Sequence, residues 1–200
     1  MTVPSTPPFL LASGSAARRR LLEEAGYIFD VKVSGATEPP PERFASALAY
    51  VQHTAWLKAS TVAHDSAGRW VLAADTVATI GGLVVGKPAH REDAERILRT
   101  LQGTRHQTTT GVCLHAPGKD LWFGLHETTT VLMRPLDDAT IDGYLDSGRW
   151  AGKAGAYGMQ DKDDPFVEAL EGSVSNVIGL PMERLGELFE LVSRLHDVQG

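Results

Sequence analysis

Apolar residues along this chain follow two periods, short runs of strand type and stripes at steps of three and four of helix type, and the two kinds alternate along its length. After a proline-bearing stretch over residues 1–8, read as a flexible tail, Phe9-Leu10-Leu11-Ala12 predicts a first buried strand. Ser13-Gly14-Ser15 breaks it, and Leu21, Leu22 and Ala25 predict a helix from Arg18 that stops at Gly26. A second strand is expected over 27–33, then a loop that carries Glu38 into three consecutive prolines. From Glu42, the residues Phe44, Leu48, Val51, Ala55, Lys58 and Val62 form one stripe of a long helix, and Lys58 interrupts its apolar face. The run over 70–80 reads as a buried strand with Asp75 inside it, and Gly81-Gly82 turns it into Leu83-Val84-Val85.

Ala94, Ile97, Leu98 and Leu101 mark a further helix closed by Gly103. Longer strands are expected over 106–115 and 121–133, with a turn at Pro117-Gly118-Lys119-Asp120. Leu136 and Ile141 bracket Asp137 as a hydrophobic staple around an N-cap, opening a helix that ends at Gly148. A stretch bearing Gly152, Gly155 and Gly158 leads to a strand over 165–170, and Gly179-Leu180-Pro181 opens a last helix with Leu185, Leu188, Phe189 and Val192 inward. This alternation, with a long hairpin in the middle, predicts an α/β protein of mixed α+β character around a mixed sheet.

Composition narrows the function. With 200 residues, 42% hydrophobic and 22% charged, one ordinary globular domain is expected. The net charge of −6 speaks against a nucleic-acid footprint or an acidic membrane, so any phosphate site is local. A single cysteine, Cys113, forms no internal disulfide, and neither a leader nor a span of roughly 20 apolar residues is visible, so a cytoplasmic protein is expected.

Asp75 is the weightiest single residue, because a carboxylate inside an apolar strand loses hydration and needs a cation, a metal or several donors. The plain alternative puts it at a strand end against a backbone donor. Lys58, on an inward stripe, either snorkels to water or meets an anion, and alone it favours snorkelling. Lys87 follows the hairpin within reach of the strand of Asp75, or is simply solvated. Residues 81–87 imitate a phosphate loop, but Pro88 stands where Ser or Thr is required and bars a helix directly after Lys87. A better cradle is Ser13-Gly14-Ser15 at a helix N-terminus beside Arg18, whereas Arg19 and Arg20 read as solvated. The seven histidines show no zinc spacing, and no nucleophile elbow is present.

Several separated segments together resemble the Maf nucleotide pyrophosphatases over roughly residues 9 to 190. They are Leu10-Leu11-Ala12-Ser13-Gly14-Ser15 with Arg18, then Glu38, Lys58-Ala59, Ala74-Asp75-Thr76-Val77, Gly86-Lys87-Pro88, Thr110-Gly111-Val112, Lys153-Ala154-Gly155-Ala156-Tyr157-Gly158-Met159-Gln160 and Val177-Ile178-Gly179-Leu180-Pro181. The resemblance implies a single domain over 9–196, an elongated mixed sheet flanked by helices with two lobes and a central cleft. It implies hydrolysis of a nucleoside triphosphate between the α and β phosphates, with a divalent cation, Mg²⁺ or Mn²⁺, and a homodimer. Asp75 matches the catalytic base and Glu38 its acidic partner, both suited to a metal; Lys58, Lys87 and Arg18 match phosphate-binding cations, beside Ser13 and Ser15.

Ala17 stands where the family pattern has the first arginine of Ser-Pro-Arg-Arg, and that position is tied to substrate choice, as are those of Thr76 and Gln160. Thr76 and Gln160 resemble the subgroup acting on dTTP and UTP, the favoured substrates. The rivals are the same chemistry on 7-methyl-GTP, pseudouridine triphosphate or 5-methyl-UTP, and a nucleotide-binding division regulator with little hydrolysis.

Overall fold

The computed structural model describes residues 6–117, 120–159 and 166–197. Most of the expected tail, Gln160 with the acidic positions through Asp164, and Gly118-Lys119 of the expected turn lie outside the described residues. The elements are β1 (Phe9–Leu11), α1 (Ala16–Glu24), β2 (Phe29–Val31), α2 (Ala47–Ala63), β3 (Trp70–Ile80), β4 (Leu83–Val85), α3 (Arg91–Leu101), β5 (Arg105–Ala116), β6 (Leu121–Met133), α4 (Asp138–Asp146), β7 (Val167–Glu171), α5 (Val174–Ile178) and α6 (Met182–Asp197). Among the described residues seven strands form one sheet in the order β2-β1-β3-β5-β6-β7, with β4 folded back on β3. β1 runs parallel to β2 and β3, and the remaining pairs are antiparallel, so the sheet is mixed, as the alternation of elements predicts.

α1 starts two residues earlier than expected, at Ala16, and β2, α2 and α5 differ more from the sequence reading. β2 has only three residues because it is an edge strand, with Ile28 and Val33 beside it exposed and Tyr27 and Phe29 packed inward. α2 starts at Ala47, not at Glu42: the prolines leave a single 3₁₀ turn over Pro41–Arg43, Phe44 is extended, and the Ser46 hydroxyl caps the helix by accepting from the Ala49 N–H at 3.1 Å. α5 is absent from the sequence reading; it is one turn long, too short for a periodic stripe, and is bounded by the Ser173 cap and by Gly179 at φ 135°.

Alternation along β3 decides what each residue meets. Leu72 and Ala74 join Phe9, Leu114, Leu185 and Phe189 in the core beneath α6, whereas Val71 and Ala73 pack with Ala55 and Ala59 beneath α2. Asp75 continues the second series toward α2, and Thr76 continues the first. A separate cluster of Ile97, Leu101, Val131, Met133, Ile141 and Phe166 packs α3 and α4 against the far part of β6.

α2 lies unusually close to the sheet where Asp75 pairs with Gly111 of β5. A Cβ on Gly111 would lie 2.7 Å from the carbonyl carbon and oxygen of Val51 and 2.8 Å from the backbone nitrogen of Gln52. A helix backbone cannot step aside as a side chain can. Gly111→Ala is therefore expected to lower stability by about 1–3 kcal/mol in urea unfolding, whereas Gly124→Ala on β6, with only the Val112 carbonyl oxygen at 3.9 Å, stays within about 0.5 kcal/mol.

Candidate active site

Asp75 sits in the middle of β3, 2% exposed, and not at a strand end. Its Oδ1 accepts from Lys58 Nζ at 2.7 Å. The same ammonium lies 2.7 Å from Glu38 Oε1, so Lys58 joins the two carboxylates and does not snorkel. Burial raises Glu38, but the hydrogen bond and charge of Lys58, with the charges of Lys87 and Arg18, outweigh it and hold the carboxyl below its ordinary range.

Glu38 and Lys58 line a cavity of about 550 Å³, with Asp75 buried behind Lys58, and the cavity also takes in the loop from Ala12 to Arg18, Thr76, Lys87 and the turn around Lys153. Its walls draw on two of these clusters, since Ala12 packs in the one beneath α2 whereas Tyr157 belongs to the one under α3 and α4. Lys87 stands where water enters the cleft. Burial against the wall lowers its ammonium value more than Asp75 and Glu38 raise it. The residues before Lys87 form a hairpin turn with Gly81 at φ 57° and Gly82 at φ 81°, and α3 begins only at Arg91, so the phosphate-loop imitation is a β-turn.

Arg18 is 7% exposed, unlike Arg19 and Arg20, which are solvated as expected. Its Nε donates to the Gly179 carbonyl at 2.9 Å, one terminal nitrogen to Ser13 Oγ at 3.1 Å and the other to Thr76 Oγ1 at 2.9 Å. Burial lowers its value, and Asp75 and Glu38 oppose that shift; a guanidinium stays charged throughout. Ser15 Oγ caps α1 by accepting from the Arg18 N–H at 3.4 Å, and Ser13 Oγ accepts from the Ser15 N–H at 3.3 Å. The cradle is thus a loop tied by its own hydroxyls, with the N-terminus of α1 and half-buried Ala17 on the cavity wall.

Sequence reasoning missed the polar layer beneath. Thr76 Oγ1 lies 2.9 Å from Thr110 Oγ1, and that hydroxyl donates to the Asn176 carbonyl at 3.1 Å. Asn176 Nδ2 in turn donates to Thr108 O at 3.1 Å and Thr129 Oγ1 at 3.0 Å, which pins α5 and places Gly179 on Arg18. Threonines in a strand pattern look like ordinary β-formers, so the only sequence signal was Ser173 three residues before Asn176, a cap spacing. Tyr50 was also missed, although it lies on the stripe of Lys58, two turns earlier. Burial, then the charges of Asp75 and Glu38, push its hydroxyl up to about 12, so it remains a donor beside the carboxylates.

Tyr157 on the cavity wall bonds His106 Nε2 through its hydroxyl at 2.7 Å, and burial drives that imidazole down to about 4. Among the described residues no three His, Cys, Asp or Glu side chains converge as a ready metal cage. Cys113 is buried and its thiol is pushed up to about 12 by burial, as suits an inert core residue.

The chain matches the family described as Maf-like protein over residues 8–192. A protein of Salinibacter ruber named dTTP/UTP pyrophosphatase is 45% identical over 179 residues, covering 89% of this chain and 87% of that protein. Proteins with the same name from Oleidesulfovibrio alaskensis and Pelotomaculum thermopropionicum are each 40% identical, covering 89% and 90% of this chain and 82% and 94% of theirs. With a match that runs from β1 into α6 and relatives this similar over nearly their whole length, the chain belongs to the Maf-like protein family.

Proposed function

We propose that this protein is a nucleoside triphosphate pyrophosphatase that adds water across the α–β phosphoanhydride, preferring dTTP and UTP and releasing the monophosphate and pyrophosphate. The observation that carries the reading is the Lys58 ammonium 2.7 Å from both Asp75 and Glu38 at the edge of a cation-lined cavity, in a chain whose relatives bear the name dTTP/UTP pyrophosphatase. Lys58 holds Asp75 by Oδ1, which leaves the carboxylate fixed to take a proton from the attacking water as general base. Glu38, half open to the cleft and ionised, orients that water on its other side. Lys87 neutralises charge on the phosphoryl oxygens and the leaving pyrophosphate. Arg18, with three of its nitrogens bound to protein oxygens, keeps the Ser13 to Ala17 loop and its N–H groups in place for a phosphate and adds its positive field.

The residues fit a divalent cation. Asp75 and Glu38, two carboxylates that reach one ammonium, would hold a Mg²⁺ or Mn²⁺ ion, and when bound the ion would supply further charge neutralisation at the phosphates. The reading also carries a cytoplasmic location, where nucleoside triphosphates are held, a homodimer, and one two-lobed catalytic unit over 9–196. Among the described residues no helix is long and apolar enough to cross a membrane.

Ala17 favours a second reading of the base. A methyl group on the cavity wall, where the family pattern has an arginine, leaves room for a modified or larger base.

Product analysis with canonical and modified triphosphates is expected to yield monophosphate and pyrophosphate from dTTP and UTP. Asp75→Asn lowers turnover by about 10²–10⁴-fold in a folded protein, the contribution of a general base; undiminished turnover in that variant would remove Asp75 from the mechanism. Preference for 7-methyl-GTP or pseudouridine triphosphate in the same panel would establish the second reading, and tight binding without pyrophosphate release would make the protein a regulator. Stability carries an independent signature of the trio. Lys58→Met leaves Asp75 buried without its cation and costs about 3–5 kcal/mol in urea unfolding, and adding Asp75→Asn recovers most of that loss. A loss in the double variant equal to the sum of the losses in Lys58→Met and Asp75→Asn measured singly would show that the pair is not coupled.

A further inference from the structure

Among the described residues β2 pairs with β1 alone, so its outer edge is open. The aliphatic side chains along that edge are exposed as well: Ile28 is 65%, Val31 37% and Val33 62% accessible to water. Apolar groups left in water beside unpaired N–H and C=O groups suit an edge that accepts another strand.

The backbone fixes which groups it offers. The Ile28 carbonyl accepts from the Phe9 N–H at 3.3 Å and the Lys32 N–H donates to the Leu11 carbonyl at 3.0 Å, so residues 28, 30 and 32 turn their peptide groups toward β1. By alternation Phe29, Val31 and Val33 turn theirs outward. An antiparallel strand of the same sequence, with its twofold axis at Val31, matches this pattern. Val31 then exchanges both hydrogen bonds with the partner's Val31, and Phe29 pairs with the partner's Val33.

The charges select that register. It sets Asp30 opposite the partner's Lys32 and Lys32 opposite the partner's Asp30, in the closer positions that share no backbone hydrogen bonds. Moving the axis to Asp30 or to Lys32 sets like charges face to face. Within the chain Asp30 meets Arg69 and Lys32 meets Asp65, each at 2.6 Å, but both pairs are exposed, and such surface pairs make room for a further partner at little cost. We propose that the chain forms a twofold homodimer by antiparallel pairing of β2 with the β2 of a second copy about Val31. So short an edge buries less than a standard interface, which makes the dimer reversible. It lies next to the cleft, because Val33 at the end of the edge also lines the cavity. The inference goes beyond the triphosphate reading and gives the homodimer expected there a surface.

Sedimentation of the full chain over a concentration series, without nucleotide, tests this. The wild type is expected to associate to a dimer and no further, because a twofold pairing closes on itself. Val31→Lys sets two ammonium groups together at the axis and is expected to weaken association about tenfold or more. Asp30→Lys is expected to do the same, and Asp30→Lys combined with Lys32→Asp to restore most of the affinity, since the exchanged charges again face opposites. Val31→Cys is expected to give a disulfide-linked dimer under a mild thiol oxidant, whereas Leu83→Cys, exposed on β4, does not; the native Cys113 is buried. Should a charge variant fail to fold, the crosslinking decides. A wild type that stays monomeric at every concentration overturns the proposal; if removal of residues 2–5 then lets it dimerise, the chain's own N-terminal segment is the occupant of the edge. A dimer that Val31→Lys leaves intact, or an exchanged-charge variant no tighter than Asp30→Lys alone, also overturns it. A monomeric wild type that splits dTTP refutes the interface alone. A dimer paired through Val31 that splits no triphosphate refutes the reaction and leaves the interface.

Discussion

An ammonium group taken out of water must be met by anions, and Lys58 is met by two. That requirement ties together three distant parts of the chain: α2, the middle of β3 and the loop that carries Glu38. It also sets how closely α2 lies on the sheet. Asp75 is short, so its partner must come to it, and the bare backbone of Gly111 on the neighbouring strand lets the helix descend far enough. The alternation of β3 then turns Asp75 toward α2 and Thr76 toward Arg18, so one strand serves two polar assemblies on opposite faces of the sheet.

These assemblies differ in what they leave for a ligand. Beneath Thr76 the polar groups bond mainly to one another: Arg18, Thr76, Thr110 and Asn176 form a chain of hydrogen bonds that reaches backbone carbonyls, with the buried Asn176 Oδ1 left without a hydrogen bond. A buried network of this kind rigidifies its surroundings. Its product is the position of the Ser13 to Ala17 loop, held between α1 and Gly179. The Lys58 trio, by contrast, opens onto the cleft through Glu38, and Lys87 lines the cleft exposed. A rigid anion-receptive loop thus faces a pair of carboxylates able to direct water, which is the division of labour that hydrolysis of a phosphoanhydride needs.

Much of this was legible in the linear pattern, for physical reasons. Asp75 inside an apolar run and Lys58 on an apolar stripe each violate the rule for their element, and such violations mark sites where a partner must exist. What each residue alone could not tell was that they are partners, because strand and helix register are set by long-range packing; alone, Lys58 pointed to water. Arg18 was legible as a cation near the first loop, but not as a buried strut, since its acceptor at Gly179 lies at the other end of the chain. Gln160 lies outside the described residues. The threonine layer, Tyr50 and the short α5 left no periodic signal: threonine suits any strand, and a single helical turn is shorter than its own period requires. The start of α2 was misjudged because Phe44 fits the helical stripe by spacing while its backbone is extended after the prolines.

The account's central claim is that Asp75, held by Lys58, directs water to the α phosphorus. Hydrolysis of dTTP in ¹⁸O-labelled water, followed by mass spectrometry of both products, tests it most directly. Attack at the α phosphorus places one labelled oxygen in dTMP and none in pyrophosphate, which is the result expected. Label in the pyrophosphate, or release of orthophosphate in its place, would contradict the account and move the reacting bond away from the Asp75 side of the cleft.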